Sequence, residues 1–300
     1  MLTHLLNTAN TIISGKEQAI KLSIACLLSK GHLLIEDLPG MGKTTLAHLL
    51  AKLFGLDYSR IQFTSDMLPA DIIGVSIFDR NNTEFQFHPG PVFSQLVLAD
   101  EINRATAKTQ SALLEAMEEQ QITMDGKTYP LDDPFFVIAT QNPQTQAGTF
   151  SLPESQLDRF LMRIVLGYPD RKTERGILSG ADRRELLKSI KPSFSTEQLL
   201  AMQKQVREVH ISSALLDYVQ DILQFSRQSQ AFLTGLSPRA GLALLRAAQA
   251  WAFIHNREMV IPDDIKAVLP SIILHRLVSQ DDQKQNESQV MALFDALPIP

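Results

Sequence analysis

The feature that most constrains the fold is a strand signal, a glycine-rich loop and a helix signal in immediate succession within residues 32–54. "HLLIE" has the length and composition of a buried strand, and "MGKTTLAHLLAKLF" places apolar residues at helical spacing. Two more apolar runs, "LVLADE" at 96–101 and "FFVIATQN" at 135–142, alternate with a second helical pattern at 105–121. Such alternation is typical of a parallel sheet with helices on both faces. The sequence therefore predicts an α/β sandwich.

The loop "DLPGMGKT" fits the phosphate-loop pattern G-x-x-x-x-G-K-[ST] at every fixed position except the first, where Asp37 replaces glycine. Loops of this kind direct backbone N–H groups at phosphate from a helix N-terminus. Lys43 is expected to contact the β- and γ-phosphates, and the Thr44 hydroxyl to bind Mg²⁺. An ordinary capped glycine turn is the alternative. The predicted nucleotide contacts here are Pro39, Gly40, Met41, Gly42, Lys43, Thr44 and Thr45.

Polar residues end the two other buried runs. Asp100 and Glu101 close "LVLADE", an arrangement in which the first acid holds the magnesium shell and the second polarises the attacking water. Asn142 closes the third run and is a candidate for orienting water or contacting the γ-phosphate. Open α/β sheets bind ligands at the carboxyl ends of their strands, so we expect these residues beside the phosphate loop. A solvated strand end and a turn residue are the alternatives.

Composition narrows the class of protein. The 300 residues carry a formal net charge of −5 and a pI of about 5.8, which gives no overall attraction to nucleic acid or to an anionic membrane. Cys26 is the only cysteine, so a reducing compartment is expected. No signal-peptide pattern opens the chain, and the longest apolar region, 242–254, is shorter than the roughly 20 residues of a membrane span. We predict a cytoplasmic protein without membrane insertion.

The pattern changes after "GYPDRKTERG" at 167–176, where helical signals with polar joints replace the strand signals. A domain boundary is therefore predicted near Pro169. It divides the chain into a nucleotide-binding α/β core, residues 1–168, and a helical domain, residues 169–300.

Several motifs together resemble those of the MoxR family of AAA+ ATPases, and nearly the whole chain takes part. Some of the matching stretches are generic alone, but their order and spacing are highly specific. They are "QFTSDMLPADIIG" (62–74), "FHPGPVFSQLVLADEINRA" (87–105), "ALLEAMEE" (112–119), "VIATQNP" (137–143), "LPESQLDRF" (152–160) and "LSPRA" (236–240).

The resemblance implies a fold and a set of roles. The fold is a P-loop αβα sandwich, the AAA+ core with hairpin inserts, followed by a C-terminal all-helical lid. The family often has an acidic residue where other phosphate loops begin with glycine, so Asp37 is compatible with nucleotide binding. The residues that match the family's two nucleotide motifs and its polar sensor are Lys43, Thr44, Asp100, Glu101 and Asn142.

Two arginines match catalytic positions of the family. Arg159 in "LDRF" matches the arginine finger that completes a neighbouring subunit's site, and Arg239 in "SPRA" matches the second sensor of the lid. A planar, permanently charged guanidinium suits the stabilisation of a transferring phosphoryl group. Whether Arg239 serves its own subunit or a neighbour stays open at this point. Without the resemblance, an ion pair for Arg159 and a helix-start position for Arg239 are the simpler interpretations.

Two segments resemble family hairpins that project toward the pore of a ring, at 78–93 and around Asp125-Gly126 in 121–131. Either hairpin contacts a client or is a solvated surface turn. Arg104 in "DEINRA" is also characteristic of the family, but the sequence does not assign it to the nucleotide or to the subunit interface.

The resemblance implies an ATPase that hydrolyses ATP with Mg²⁺ as a homo-hexameric ring and acts on a protein client in a chaperone-like way. Family precedent suggests a client with a von Willebrand factor A domain. One alternative is a nucleic-acid motor, which the hairpin sequence "EEQQITMDGKTYPLDD" disfavours with one lysine, five acids and one aromatic residue. Another is a nucleotide-controlled scaffold with slow turnover, which Glu101 beside Asp100 disfavours. No Asn-Lys-x-Asp motif for guanine occurs, so ATP is favoured.

Overall fold

The chain folds into a five-stranded parallel sheet between helices, followed by a helical part. The computed structural model describes residues 2–80, 83–142, 152–180, 183–280 and 287–299. Its strands are β1 (Leu33–Glu36), β2 (Tyr58–Gln62), β3 (Gly74–Asp79), β4 (Glu84–Pro89), β5 (Leu96–Asp100), β6 (Gln121–Met124), β7 (Lys127–Pro130), β8 (Phe136–Gln141), β9 (Met162–Ile164), β10 (Phe232–Thr234) and β11 (Val278–Ser279). Its α-helices are α1 (Leu2–Ile12), α2 (Glu17–Leu28), α3 (Lys43–Leu53), α4 (Pro69–Ile73), α5 (Ala107–Glu119), α6 (Glu154–Leu157), α7 (Arg171–Ser179), α8 (Arg183–Ser189), α9 (Thr196–Glu208), α10 (Ser213–Gln228), α11 (Pro238–Ile254), α12 (Pro262–Ile273) and α13 (Glu287–Asp295).

The central sheet has the strand order β2-β5-β8-β1-β9, and every pair in it is parallel. Because the strands run the same way, all of their carboxyl ends meet at one edge and all of their starts meet at the other. We call the edge after Glu36, Asp100 and Gln141 the carboxyl edge, and the edge before Leu33 and Met162 the amino edge.

Both faces of the sheet are covered. In β1, Leu33 and Ile35 belong to the larger hydrophobic core, whereas Leu34 between them belongs to the smaller one. The larger core also includes side chains of α1, α2 and α3 and of the C-terminal helices, and the smaller includes side chains of α5. Burial on both faces explains why the inner strands are continuously apolar. The predicted sandwich with a parallel sheet is confirmed.

The C-terminal part is built around α11, which packs on α12, α10 and α9 and also on α2. Its helices begin at polar caps: the hydroxyls of Ser195, Ser212 and Ser237 each accept a hydrogen bond from a backbone N–H of the first turn. The prediction of a helical domain is confirmed, with one addition, the short antiparallel ladder of β10 and β11. Among the described residues, no helix is both long and apolar enough to cross a membrane.

Two antiparallel hairpins extend from the sandwich. The first pairs Gly74 with Pro89 and Asp79 with Glu84, so it begins earlier and ends earlier than the predicted 78–93; residues 81 and 82 lie outside the described part. Gly74 has a φ of 104°, and a Cβ there would lie 2.3 Å from the carbonyl oxygen of His88, so a side chain does not fit. The second hairpin, β6–β7, occupies 121–130 as expected.

The hairpins meet through stacked aromatic rings. The ring centroids of Phe87 in β4 and Tyr129 in β7 lie 4.4 Å apart, with an angle of 26° between the ring planes. On the first hairpin, Ile77, Phe78 and Phe85 are exposed, with Phe85 at 68%. The exposed apolar side chains thus belong to the first hairpin, and the second hairpin contacts it through Tyr129.

Candidate functional site

The phosphate loop connects β1 to α3 and has the backbone that its glycines predict. Gly40 and Gly42 have φ values of 84° and 96°, in the region that favours glycine, and α3 begins directly at Lys43. The unpaired N–H groups of this helix start face the end of the loop. The candidate contacts Pro39 and Gly40 are exposed. Met41, Gly42, Thr44 and Thr45 are partly exposed.

Lys43 is held at the carboxyl edge by two neighbours. Its Nζ donates to the backbone carbonyl of Asp37 at 2.5 Å and to Oδ1 of Asn142 at 3.1 Å. Burial lowers the pKa of Lys43, and the negative charges of Asp37, Asp100 and Glu101 act against that shift. The ammonium group of Lys43 therefore lies at the carboxyl edge, close to the residues that end β5 and β8.

Asp100 ends β5, and two donors fix its carboxylate. Thr140 Oγ1 donates to Oδ1 at 2.6 Å, and Arg60 Nη2 donates to Oδ2 at 2.6 Å. The same threonine hydroxyl accepts from the backbone N–H of Glu101 at 2.9 Å. Thr140 therefore joins β8 to the end of β5 and orients both acids.

Glu101 stands where three polar side chains reach it. Its φ is 58°, an unusual backbone conformation for a residue other than glycine and one that clusters at functional sites. One carboxylate oxygen accepts from Asn142 Nδ2 at 3.2 Å, and the other from Gln62 Nε2 at 3.2 Å and from Arg104 Nε at 2.9 Å. The structure thus places Arg104, which the sequence left unassigned, on Glu101.

The sequence predicted that Lys43, Asp100, Glu101 and Asn142 lie at this edge, but it did not predict three of their partners. Arg60 and Gln62 lie on β2, a strand whose only buried residue is Ile61, so its apolar signal is weak. Thr140 is hidden inside an apolar run. The available signal was positional: like Asn142 it lies near the carboxyl end of β8.

Asp37 is satisfied by backbone donors. Its buried carboxylate accepts from the N–H groups of Leu38 at 2.8 Å, Leu166 at 2.7 Å and Gly167 at 2.6 Å. The side chain therefore faces the connection after β9 and leaves the inner surface of the loop to its backbone.

The two candidate arginines lie at the opposite, amino edge. Arg159 and Arg239 both pair with Glu118 near the end of α5, through their Nη2 atoms at 3.0 Å and 2.7 Å. The hydrogen bond from Arg239 and the charge of Arg159 lower the pKa of Glu118. They line a cleft with Gly31 and His32, the residues that precede β1. The structure therefore does not bring these arginines to the phosphate loop of their own chain.

The amino-edge cleft is rich in positive charge. Arg276 is held deep in it by Asp158, with Nε 2.7 Å from Oδ1, and by the carbonyl oxygen of Phe160 at 2.7 Å. Its cationic lining residues are Lys30, Arg159, Arg239, Arg246 and Arg276, against the acids Glu118 and Asp158. An anionic group from another molecule would be attracted to this cleft.

The donor set fits magnesium bound together with a nucleotide. Asp100 offers a carboxylate and Thr44 a hydroxyl from the first turn of α3, and Mg²⁺ usually takes one or two such protein ligands plus phosphate oxygens and waters. Within the described ranges, no cluster of three or more histidine, cysteine or acidic residues could hold a metal without phosphate.

Comparisons with known proteins agree with this architecture. Residues 32–162 match the ATPase family associated with various cellular activities (AAA), and residues 224–293 match the AAA lid domain. A crystal structure of a candidate ATPase from Cytophaga hutchinsonii superposes with a TM-score of 0.86 at 35% identity, covering 100% of this chain and 97% of the other.

Relatives match along most of the sequence. The uncharacterized protein YeaC of Bacillus subtilis is 45% identical, with 97% of this chain and 92% of YeaC covered. Chaperone MoxR1 of Mycobacterium tuberculosis is 40% identical over 92% of this chain and 75% of its own length, and protein MoxR of Paracoccus denitrificans is 31% identical over 97% and 94%. With its AAA core, its AAA lid and these relatives, the chain belongs to the MoxR family of AAA+ ATPases.

Proposed function

We propose that this chain hydrolyses ATP as a subunit of a homo-hexameric ring and uses the cycle to remodel or activate a protein client. The observation that supports the proposal is that the candidate catalytic residues are divided between the two edges of the sheet. Lys43, Asp100, Glu101 and Asn142 lie at the carboxyl edge, whereas Arg159 lies at the amino edge. The four residues of β1 separate these edges by roughly 13 Å at about 3.3 Å per residue.

We assign the carboxyl-edge residues as follows. Lys43 would turn from the Asp37 carbonyl to the β- and γ-phosphates, and the loop N–H groups would hold the β-phosphate. Thr44 and Asp100 would hold Mg²⁺, which offsets charge on the phosphate oxygens when bound. Asn142 would orient the γ-phosphate or the water.

Glu101 would be the general base. It would accept a proton from water as the water oxygen bonds to the γ-phosphorus and the bond to the β–γ bridging oxygen breaks, which yields ADP and phosphate. Its pairing with Arg104 and Gln62 keeps the carboxylate oriented, and the ion pair with Arg104 must loosen for the carboxylate to accept a proton. Arg104 is therefore a positioning residue in this proposal.

A cleft next to the phosphate loop could hold the adenine ring of the nucleotide. The cleft lies where the α2 start, β9 and α12 meet, and Leu166, which is bonded to Asp37, lines it. Apolar side chains in its wall, such as Leu22, Ile164 and Leu274, suit a purine ring. We propose ATP rather than GTP because no guanine-reading motif occurs in the sequence.

Both arginines would act on a neighbouring subunit. Arg159 belongs to the segment before β9 and Arg239 to the start of α11, yet they share one carboxylate, Glu118. Because both arginines line the same cationic cleft, we propose that they act at a single subunit interface. An arginine finger of this kind raises the rate of hydrolysis by about 10³–10⁵. For Arg239, which the sequence leaves open between its own subunit and a neighbour, we thus propose the trans role.

The client would be a protein. The exposed apolar side chains of the first hairpin suit a polypeptide surface, and the family resemblance suggests a von Willebrand factor A domain. The stacked Phe87 and Tyr129 give some support to a nucleic-acid motor, since bases stack on aromatic rings. Charge argues against it: the hairpins carry two basic residues, Arg80 and Lys127, against the acids Asp79, Glu84 and Asp125.

We also propose that the chain divides near Pro169 into a core, residues 1–168, and a lid, residues 169–300. Support comes from the end of the sheet at Ile164 and the start of α7 at Arg171. Gly167 between them has a φ of 65°, a conformation that suits a hinge.

ATP turnover in a mixture of two inactive variants tests the proposal. Lys43→Ala removes phosphate contact from a subunit, and Arg159→Ala removes its finger. After each variant is shown to fold and the two to co-assemble, mixing should restore activity because an intact Lys43 site then receives Arg159 from its neighbour. Co-assembled mixtures as inactive as their components would remove the support for a trans finger. A lysine variant that still binds ATP normally would contradict the nucleotide site itself.

A further inference from the structure

Asp37 is the one position where the phosphate loop departs from the usual pattern, and its contacts join two parts of the chain. Leu166 and Gly167 follow β9 on the way to the helical lid, and both donate their backbone N–H groups to one oxygen of this carboxylate. The other oxygen accepts from Leu38 inside the loop. Charge-assisted bonds of this kind are roughly twice as strong as neutral ones.

The carboxylate is buried, with 6% of the residue exposed, so water does not easily replace it. The hydrogen bond from the N–H of Leu166 to this carboxylate is buried, and a glycine at position 37 would remove the acceptor. A buried donor left without an acceptor destabilises the fold. The acid therefore fixes the chain at Gly167, next to the proposed hinge, to the start of the phosphate loop.

The same residue also contacts the side chain that senses phosphate. The Asp37 carbonyl oxygen accepts from Lys43 Nζ at 2.5 Å in this structure. When Lys43 turns to a bound phosphate, that bond must lengthen or break. Asp37 thus loses a partner on its main chain while its side chain still holds the hinge.

From these contacts we infer that Asp37 is a positioning residue that couples occupancy of the phosphate loop to the orientation of the lid. This inference rests on the proposed function. Its consequence concerns the neighbouring subunit, because Arg239 is carried by the lid whereas Arg159 is carried by the core. Nucleotide in one site would set how that subunit presents Arg239 to the next site, and Arg159 would be presented independently of the lid.

The test uses the full chain with one dye on the core and one on the lid, at Lys108→Cys and Gln220→Cys, both exposed positions. Energy transfer is recorded while a non-hydrolysable ATP analogue with Mg²⁺ is titrated, and binding is measured separately by calorimetry. Asp37→Asn keeps the size of the side chain but removes its charge and leaves one acceptor oxygen instead of two, so the hinge N–H groups and the N–H of Leu38 can no longer all be satisfied. Asp37→Gly restores the ordinary loop residue.

We expect the wild type to change its transfer efficiency on binding, and Asp37→Gly to bind the analogue while losing most of that change. Asp37→Asn, which keeps one acceptor oxygen without the charge, should bind and lose a smaller part of it. Asp132→Asn, which removes an exposed acid from the same core, should behave as the wild type does. A full wild-type response in a binding-competent variant would overturn the inference, as would a wild type that binds without any response. If neither variant binds, Asp37 merely shapes the loop and the coupling is again overturned. A wild type that does not bind would instead refute the proposed function.

Discussion

The two edges of the sheet differ in how complete they are. At the carboxyl edge, strand-end residues from β2, β5 and β8 bond one another directly, and Glu101 alone is reached by Asn142, Gln62 and Arg104. At the amino edge, Arg159 and Arg239 share the carboxylate of Glu118, and Arg239 also lies 3.8 Å from a carboxylate oxygen of Asp158, so protein carboxylates stand where catalytic arginines would meet phosphate.

The difference supports the proposal that one chain holds halves of two sites. A parallel sheet gathers its strand ends at one edge, so a single subunit can assemble the phosphate side without help. Arg159 comes shortly before β9, and Arg239 lies in the first turn of α11, so both are carried at the opposite edge. A ring is a simple way to bring the two edges of successive subunits together.

The largest expected effect comes from mixing Arg159→Ala with Arg239→Ala. If both arginines act in trans, each interface takes both from one subunit, so every interface in the mixture lacks one of them. Turnover should then stay as low as in the separate variants, with losses of about 10³–10⁵ for a finger. Steady-state ATP turnover of co-assembled protein measures it.

A cis role for Arg239 gives the opposite result. An Arg159→Ala subunit would keep its own Arg239 and receive Arg159 from an Arg239→Ala neighbour, so activity would return on mixing. Lys43→Ala mixed with Arg239→Ala is the matched control, and it should regain activity if the comparison between the edges is correct.

A smaller effect is expected within the carboxyl edge. Glu101→Gln keeps the shape of the side chain but removes the base, and we expect turnover to fall by about 10²–10⁴ while ATP affinity stays near that of the wild type. Single-turnover hydrolysis and equilibrium binding separate the two quantities. Wild-type turnover in this variant would mean that Glu101 is not the base.

Local motifs made the carboxyl edge predictable. The loop, its glycines and α3 are contiguous in sequence, and the strand ends at Asp100 and Asn142 follow from the geometry of any open parallel sheet. β2 and β9 were not predicted, because β2 buries only Ile61 and β9 has three residues. The pairs that these strands contribute are non-local and leave no short-range pattern.

Asp37 shows the limit most clearly. Its partners, Leu166 and Gly167, are 129 and 130 positions away and contribute only backbone N–H groups, which any residue except proline has. No residue type in the sequence could mark them. The roles proposed for Arg159 and Arg239 likewise came from the family resemblance, since an ion pair with Glu118 does not distinguish a catalytic arginine from an ordinary surface one.

The smallest effect concerns the stability of the amino edge. His32 accepts from the backbone N–H of Val137 at 3.0 Å through Nδ1, so its Nε2 donates to the carbonyl of Met117 at 3.2 Å, and the ring joins β8 to α5 in its neutral form. Burial lowers the pKa of His32 to about 4, and the hydrogen bond to Met117 opposes that shift. The unfolded chain takes up the proton near 6.5, so the stabilisation is complete above that pH and declines as the pH falls toward 4.

At pH 5 this histidine should therefore cost the wild type about 2 kcal/mol of unfolding free energy relative to pH 7.5. Urea unfolding of the wild type and of His32→Gln at both pH values measures it, because the destabilisation caused by the substitution should shrink in acid. His4→Gln, at an exposed position of α1, controls for histidine loss as such. Equal destabilisation by His32→Gln at both pH values would show that protonation of this ring does not weaken the amino edge.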